Sequence, residues 1–472
     1  MDEFVKQKLT EWKLSDLIPA FEAENIDEES FFLLDANCLT SLIPHLGPRL
    51  KFQRHFAKFL ETSSPKTTED ADPTPHAELE SGVSSVGRAA FNIREILSAS
   101  PEGRPVVISL DGNQHVSIRE RRCMVRTLVS HLMDQYGENP SSDTKAILAS
   151  SIVDQFPCLR DSHGTGYDAW FTRGRQHRPA TGFLEERLRN VRKRHQPRKK
   201  MLSAPEAPPK RSSLPEPTIS AERAIQMTEW LKNNFWPADQ VVQYMRETAV
   251  YRAGWIRSSG TIPMQQIFAE FPRLLDTPGM ILQDFAVLYP QSCGKLTENW
   301  NTLFSSKVIR MGKKEESGLL PEIELLPQDK QGDVALQLLP KLLSAVPYRV
   351  GRKVVRPSNL EVQQAFIDVQ PIGTNMVEYL GSTATEHPRV LMLGDRYCCS
   401  QAFVVINGTA LEYPSLLGAV DGCFKSFFVF DVSYPKSCIQ IWDFLQTVIY
   451  EIPGNESPPI KLMRAQLEAM EE

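Results

Sequence analysis

Asp161-Ser162-His163-Gly164-Thr165-Gly166 sets a carboxylate, a hydroxyl and an imidazole side by side, with two glycines behind them. In an enzyme these groups would serve as orienting acid, nucleophile and base, and the glycines would let backbone approach a phosphate. Triad members come from distant parts of a fold, however, so neighbours in sequence are better read as a polar turn closed by Asp161 or Ser162. Cys398 and Cys399 are adjacent, a spacing that suits neither a tetrahedral zinc site nor an unstrained disulfide. The nine histidines are dispersed, and none is assigned to a metal. No phosphate-binding loop, dinucleotide fingerprint, nucleophile elbow or His-Glu-x-x-His pattern occurs. The expectation is a chain that is not an enzyme and works by binding, with no cofactor and no small-molecule substrate.

Charge offers a second chemistry. The 472 residues hold 53 Lys and Arg against 58 Asp and Glu, a net charge of −5. Arg119 to Lys200 runs the other way, with 17 basic residues against 9 acidic ones, so this stretch is +8 and the remainder −13. Arg173, Arg175 and Arg178 share a loop with Tyr167, Trp170 and Phe171. Arg187, Arg189, Arg192, Lys193 and Arg194 stud a helix predicted from Thr181 to about Arg194, whose apolar face is Phe183, Leu184, Leu188 and Val191. Successive helices ending in an arginine-rich one are how helix-turn-helix modules present a recognition element, and the positive charge would attract phosphate. Nucleic acid is therefore a candidate partner. The same residues also fit a solvated basic face, and Arg192 to Lys200 a nuclear import signal.

The elements that must carry these groups begin with Phe4 to Leu60. Leu9 and Trp12, then Leu17, Ile18 and Phe21, then Phe31, Phe32 and Leu34, then Leu39, Leu42 and Ile43 fall into short helical groups. Gly47 and Pro48 suit the N-cap and N1 positions of a last, longest helix bearing Phe52, Phe56, Phe59 and Leu60. Trp12 with Leu14, Leu17 and Phe21, the Asn25-Ile26-Asp27 turn, Leu34, Leu39 and the Leu46-Gly47-Pro48-Arg49-Leu50-Lys51-Phe52 run resemble a sterile alpha motif (SAM) domain, although Pro44 departs from that pattern. More loosely, the whole chain is similar to large multi-domain proteins that contain this motif.

The resemblance implies a five-helix bundle that binds proteins, often copies of itself. It implies a basic face of Gly47, Arg49, Lys51 and Arg54 and an acidic face of Asp27, Glu28, Glu29 and Asp35. Opposed faces of this kind give head-to-tail contacts. Solvated surface charge is the plainer reading of the same residues.

Further along, residues 63–88 and 201–219 read as a flexible and a Pro-rich linker. Between them, 89–200 is a basic, mostly helical domain, with a β-branched run at Val106 to Leu110 closed by Asp111-Gly112. Helices follow at Val125 to Tyr136, ended by Gly137, and from Ser142 or Asp143 to Phe156, ended by Pro157. Residues 220–314, started by Ser220, read as a bundle of about five helices whose core holds Trp230, Trp236, Trp255 and Trp300. After a loop at 315–332, residues 333–455 form an α+β domain. It has a helix at Val334 to Val346 kinked at Pro340, strands at Val390 to Leu393 and Ala402 to Ile406, a turn at Asn407-Gly408, and apolar helices at Leu416 to Val432 and Ile439 to Ile452.

Residues 456–472 read as a tail, with Met463 to Glu472 a frayed helix. The predicted class is mainly α and multi-domain, with an N-terminal SAM-like bundle and a small C-terminal α+β domain. Scattered cysteines and the lack of a long apolar run point to a cytoplasmic or nuclear protein. Its partners would be proteins, itself included, or nucleic acid, and no membrane.

Overall fold

A computed structural model describes residues 3–12, 14–24, 26, 31, 39, 42–43, 45, 48–49, 51–52, 55–56, 90–113, 115–175, 178–195, 213–258, 262–315, 323, 325–351, 353–382, 387–395 and 397–470. The contacts divide the chain into two units, Met1–Ser85 and Val86–Glu472. Most of the two expected linkers lies outside the described residues.

In the first unit, helices Glu3–Glu11 and Ile18–Ala23 flank a single turn at Ser15–Leu17. Pro48, Arg49, Lys51, Phe52, His55 and Phe56 are helical, at the position expected for the last helix. The core is aromatic. Trp12 lies 5.6 Å from Phe52, Phe31 lies 5.2 Å from Phe56, and Phe21 lies 5.4 Å from Phe52. Rings of this size let a short chain bury enough apolar area to hold together.

The second unit opens with five helices, Ile93–Ala99, Arg104–Asn113, Ile118–Tyr136, Ser142–Gln155 and Phe183–His195. The β-branched run at Val106 to Leu110, read as closed by a turn at Asp111-Gly112, is instead part of the Arg104–Asn113 helix. Val106 and Leu110, four residues apart, are buried while Ile108 is 72% exposed. Burial with helical spacing overrode the β-branched composition. Asp111, read as a turn residue, pairs with Arg94 at 2.8 Å.

Ser220 caps its helix as expected, its Oγ accepting from the Arg223 N–H. From there to Glu315 the chain folds into more and shorter helices than the five expected: Ala221–Asn233, Ala238–Glu247, Ala249–Ser258, Met264–Glu270, Arg273–Asp276, Met280–Leu288, Lys295–Asn299 and Ser305–Glu315, the last two joined by a π-helical turn at Trp300–Phe304. Trp300 is fully buried, but Trp236, expected in the core, is 71% exposed in the link between two helices. A buried bidentate pair ties Arg252 of one helix to Asp284 of another.

The helix at Gln328–Leu342 contains Pro340 in its last turn and ends two residues later, since the proline ring removes a donor and crowds the preceding carbonyl. Four strands make the main sheet, in the order β3 (Ile367–Gln370), β4 (Arg389–Asp395), β5 (Cys398–Ile406), β6 (Thr409–Tyr413), the first pair parallel and the others antiparallel. The Asn407-Gly408 turn forms as read, with both φ angles positive, at 49° and 77°. Two earlier strands, β1 (Tyr348–Val350) and β2 (Lys353–Val355), form a separate antiparallel hairpin. The Leu416–Val429 helix lies against the sheet and is buried along almost its whole length. One apolar core runs from Leu231 to Met470, so the bundle and the α+β region share it. The expected helical tail forms as Pro458–Ala469, but it is buried rather than frayed. Its Leu462 enters the core of residues 91–188, while Ile460, Met463 and Leu467 enter the larger core. The overall class is mainly helical with a small mixed sheet, and no helix among the described residues is long and apolar enough to cross a membrane.

Candidate functional site

A Ser117–Glu120 capping box starts the Ile118–Tyr136 helix: Ser117 Oγ accepts from the Glu120 N–H, and Glu120 accepts from the Ser117 N–H at 2.8 Å. Met124, Leu128 and Leu132 are fully buried, so the opposite face must look outward. Arg119, Arg122 and Arg126 occupy that face at i, i+3 and i+7. All three are exposed, and none makes a hydrogen bond or salt bridge with a described residue. Arg121, beside them, turns inward over the Phe183 ring at 4.4 Å, and burial lowers its pKa to about 10, which leaves it charged at neutral pH.

This face borders a cleft of about 4330 Å³ between the Ile118–Tyr136 helix, the 165–193 segment and the 427–461 segment. Pockets for small molecules hold roughly 300–1,000 Å³, so the cleft matches a polymer better. Among the described residues, fifteen Lys and Arg line it against six Asp and Glu. A chain with an acidic net charge has thus gathered an excess of +9 on one concave surface.

The arginines singled out by sequence divide into two groups. Arg175 and Lys193 are exposed in the cleft and make no side-chain hydrogen bond or salt bridge with a described residue. Three others fasten the fold. Arg173 pairs with Asp143, Arg189 donates to the Ala180 carbonyl at 2.8 Å, and Arg192 donates to the Glu138 carbonyl at 2.9 Å. Arg187 is half-buried in the cleft lining, and the Arg194 side chain is outside the described residues. Their helix, Phe183–His195, buries Leu184 and Leu188 and is anchored by a buried Lys145–Glu185 pair at 2.7 Å. The cleft's main cationic row is therefore Arg119, Arg122 and Arg126, which reading from Arg173 onward passed over. Their i, i+3, i+7 spacing opposite an apolar stripe was the signal for them.

In the first unit, Arg49 donates to the Ile43 carbonyl at 3.4 Å and Lys51 is exposed. Gly47, Arg54, Asp27, Glu28, Glu29 and Asp35 lie outside the described residues.

The Asp161 to Gly166 segment is the polar turn that sequence favoured. Gly164 and Gly166 have φ of 66° and 80°, and the Asp161 N–H donates to the Gly166 carbonyl at 2.8 Å. Asp161 is engaged in a bidentate pair with Arg464, both contacts at 2.9 Å, and Ser162 donates to Glu468 at 2.9 Å. The turn's acid and hydroxyl thus serve as a dock for the Pro458–Ala469 helix. Burial alone would lower the Arg464 pKa, but hydrogen bonds to Asp161 and Glu456 hold it above the ordinary value. Among the described residues no three His, Cys, Asp or Glu side chains converge as a metal site.

Asp443, on the cleft lining, has no salt bridge among the described residues, and burial pushes its pKa up from 3.8 to about 7, against a hydrogen bond from Asn455. The folded state keeps this proton between pH 4 and 7, where the unfolded chain has lost it. Stability is therefore full below about pH 4 and falls as pH rises through 7. Asp443→Asn is expected to remove that fall and raise stability at pH 8 by roughly 2–4 kcal/mol, read from denaturation midpoints at pH 5 and 8.

No family model, curated protein or solved structure matches this chain.

Proposed function

We propose that the chain is a non-enzymatic nucleic-acid-binding protein, its second unit holding the polymer's phosphates along the Arg119, Arg122 and Arg126 face of the cleft. The excess of fifteen basic over six acidic side chains on one concave surface carries this reading. Electrostatic attachment of this kind releases counterions, so log K falls linearly with log salt concentration, by about 0.9 per phosphate contact on duplex. The test is fluorescence anisotropy of the full chain with labelled 20-mer oligonucleotides from 50 to 300 mM salt. A slope steeper than about −3 supports the reading, and no binding at 50 mM removes it.

A second role belongs to the first unit. Its aromatic core and the helical residues Pro48, Arg49, Lys51, Phe52, His55 and Phe56 support a SAM-like interaction module that joins copies of this chain or other proteins. Lys51 among them is exposed, as a basic docking face requires. Arg49→Glu combined with Lys51→Glu is expected to reduce a concentration-dependent mass, measured by light scattering on the full chain, to that of the monomer. An unchanged oligomer would place the contact elsewhere.

A further inference from the structure

Tyr348–Val350 and Lys353–Val355 pair as a two-stranded ribbon in the register Tyr348 to Val355, Arg349 to Val354 and Val350 to Lys353. The connection is a two-residue loop, and its Gly351 has a φ of 56°. Cross-strand partners share a face, so one face shows Arg349 with Val354 and the other Val350 with Lys353. Both faces are open. Val350 is 58% and Val354 46% exposed, and neither belongs to an apolar core. An isolated hairpin is marginally stable in water, so a ribbon with two open faces is poorly explained by packing alone. Its charge is all of one sign: Arg349, Arg352, Lys353 and Arg356 fall within eight residues that contain no acid. Arg349, Lys353 and Arg356 are exposed and make no side-chain hydrogen bond or salt bridge with a described residue. Tyr348, Arg349 and Gly351 border the same cleft as Arg119, Arg122 and Arg126, more than two hundred residues away in sequence.

We propose that this hairpin is a β-ribbon arm that enters a groove of double-stranded nucleic acid whose backbone lies along the arginine face of the cleft. The inference rests on the nucleic-acid reading above and narrows it to a duplex. Three residues per strand span about 10 Å, and the major groove of B-form DNA, about 12 Å wide, admits a two-stranded ribbon, whereas that of an RNA duplex is too narrow. The basic side chains on both faces would meet phosphates on both groove walls. The valines beside them would contact the apolar parts of sugars and bases. A single strand has no groove, and it would gain little from an arm held in this form.

The test compares the full chain with an Arg349→Ala, Lys353→Ala variant, using a labelled 20-base-pair duplex and one of its strands across a salt series. Circular dichroism and thermal melting confirm that the variant is folded, which the exposure of both side chains favours. We expect the duplex affinity to fall at least tenfold and its salt slope to lose about two units, with single-strand affinity changed less than twofold. Equal losses on duplex and single strand overturn the groove assignment, as does an unchanged duplex affinity. If Arg119→Glu, Arg122→Glu abolishes binding while the hairpin variant does not, the arm is wrong and the cleft stands. If the wild type binds neither form at 50 mM salt, both readings fall together.

Discussion

Arg119→Glu, Arg122→Glu, Arg126→Glu is expected to weaken oligonucleotide binding on the order of 100-fold at 50 mM salt and to remove about three units of salt slope. The size follows from placement. The three guanidinium groups stand on one helix face over the cleft, exposed and without a hydrogen bond or salt bridge to a described residue, so reversing them replaces three attractions with three repulsions. Stability should hardly change, because substitutions on an exposed helix face usually stay within about 0.5 kcal/mol. A matched change at Arg173, Arg189 and Arg192 would confuse the result, since those side chains hold Asp143, Ala180 and Glu138. Binding unaffected by the triple change would show that the cleft charge is solvated surface and nothing more.

Arg464→Ala is expected to cost about 3–5 kcal/mol, the largest stability effect foreseen here. The guanidinium reaches Asp161, whose side chain is only 1% exposed, and also Glu456, so truncation leaves a buried carboxylate without its cation. The loss is also topological. The helix bearing Arg464 contributes Leu462 to one core and Ile460, Met463 and Leu467 to another, and so fastens the arginine-rich helices to the rest of the second unit. Urea denaturation followed by tryptophan fluorescence should show an early transition in the variant. Asp161→Asn together with Arg464→Met should recover part of the loss, because no charge is then stranded. Arg94→Ala is the control. Its partner Asp111 is half exposed, and such a pair contributes about 0–1 kcal/mol. If the two single variants shift the midpoint equally, the buried pair is not the fastening described.

Local signals in the sequence were read well wherever they act locally. The Ser220 cap, the Gly137 and Pro157 stops, the Asn407-Gly408 turn and the polar turn at Asp161 all depend on a few adjacent residues, and all are found. Cap and turn geometry is set by φ preferences and by side chains within reach of their own backbone, so it survives into any fold. The arginine excess of residues 119–200 was also visible, although sequence singled out the segment from Arg173 onward.

Where sequence fell short, the deciding partner was far away in the chain. Val106 to Leu110 has strand composition, but the buried surface available to it rewards positions four apart, and it is a helix. Trp236 has the type of a core residue, but it stands in a link where no core reaches it. The Pro458–Ala469 helix reads from sequence as a frayed helical tail because its receptors, Asp161 and two apolar cores, lie hundreds of residues away or are assembled from many segments.

The cleft belongs to the same class. Sequence alone determined that the chain is mainly helical, where many of its helices start and stop, and that a positive stretch sits inside an acidic protein. Which of those positive charges are consumed in holding the fold, and which stand free beside a distant basic hairpin, was decided only by tertiary packing. Ion pairing and exposure depend on distance in space, and periodicity within one segment carries no information about that distance.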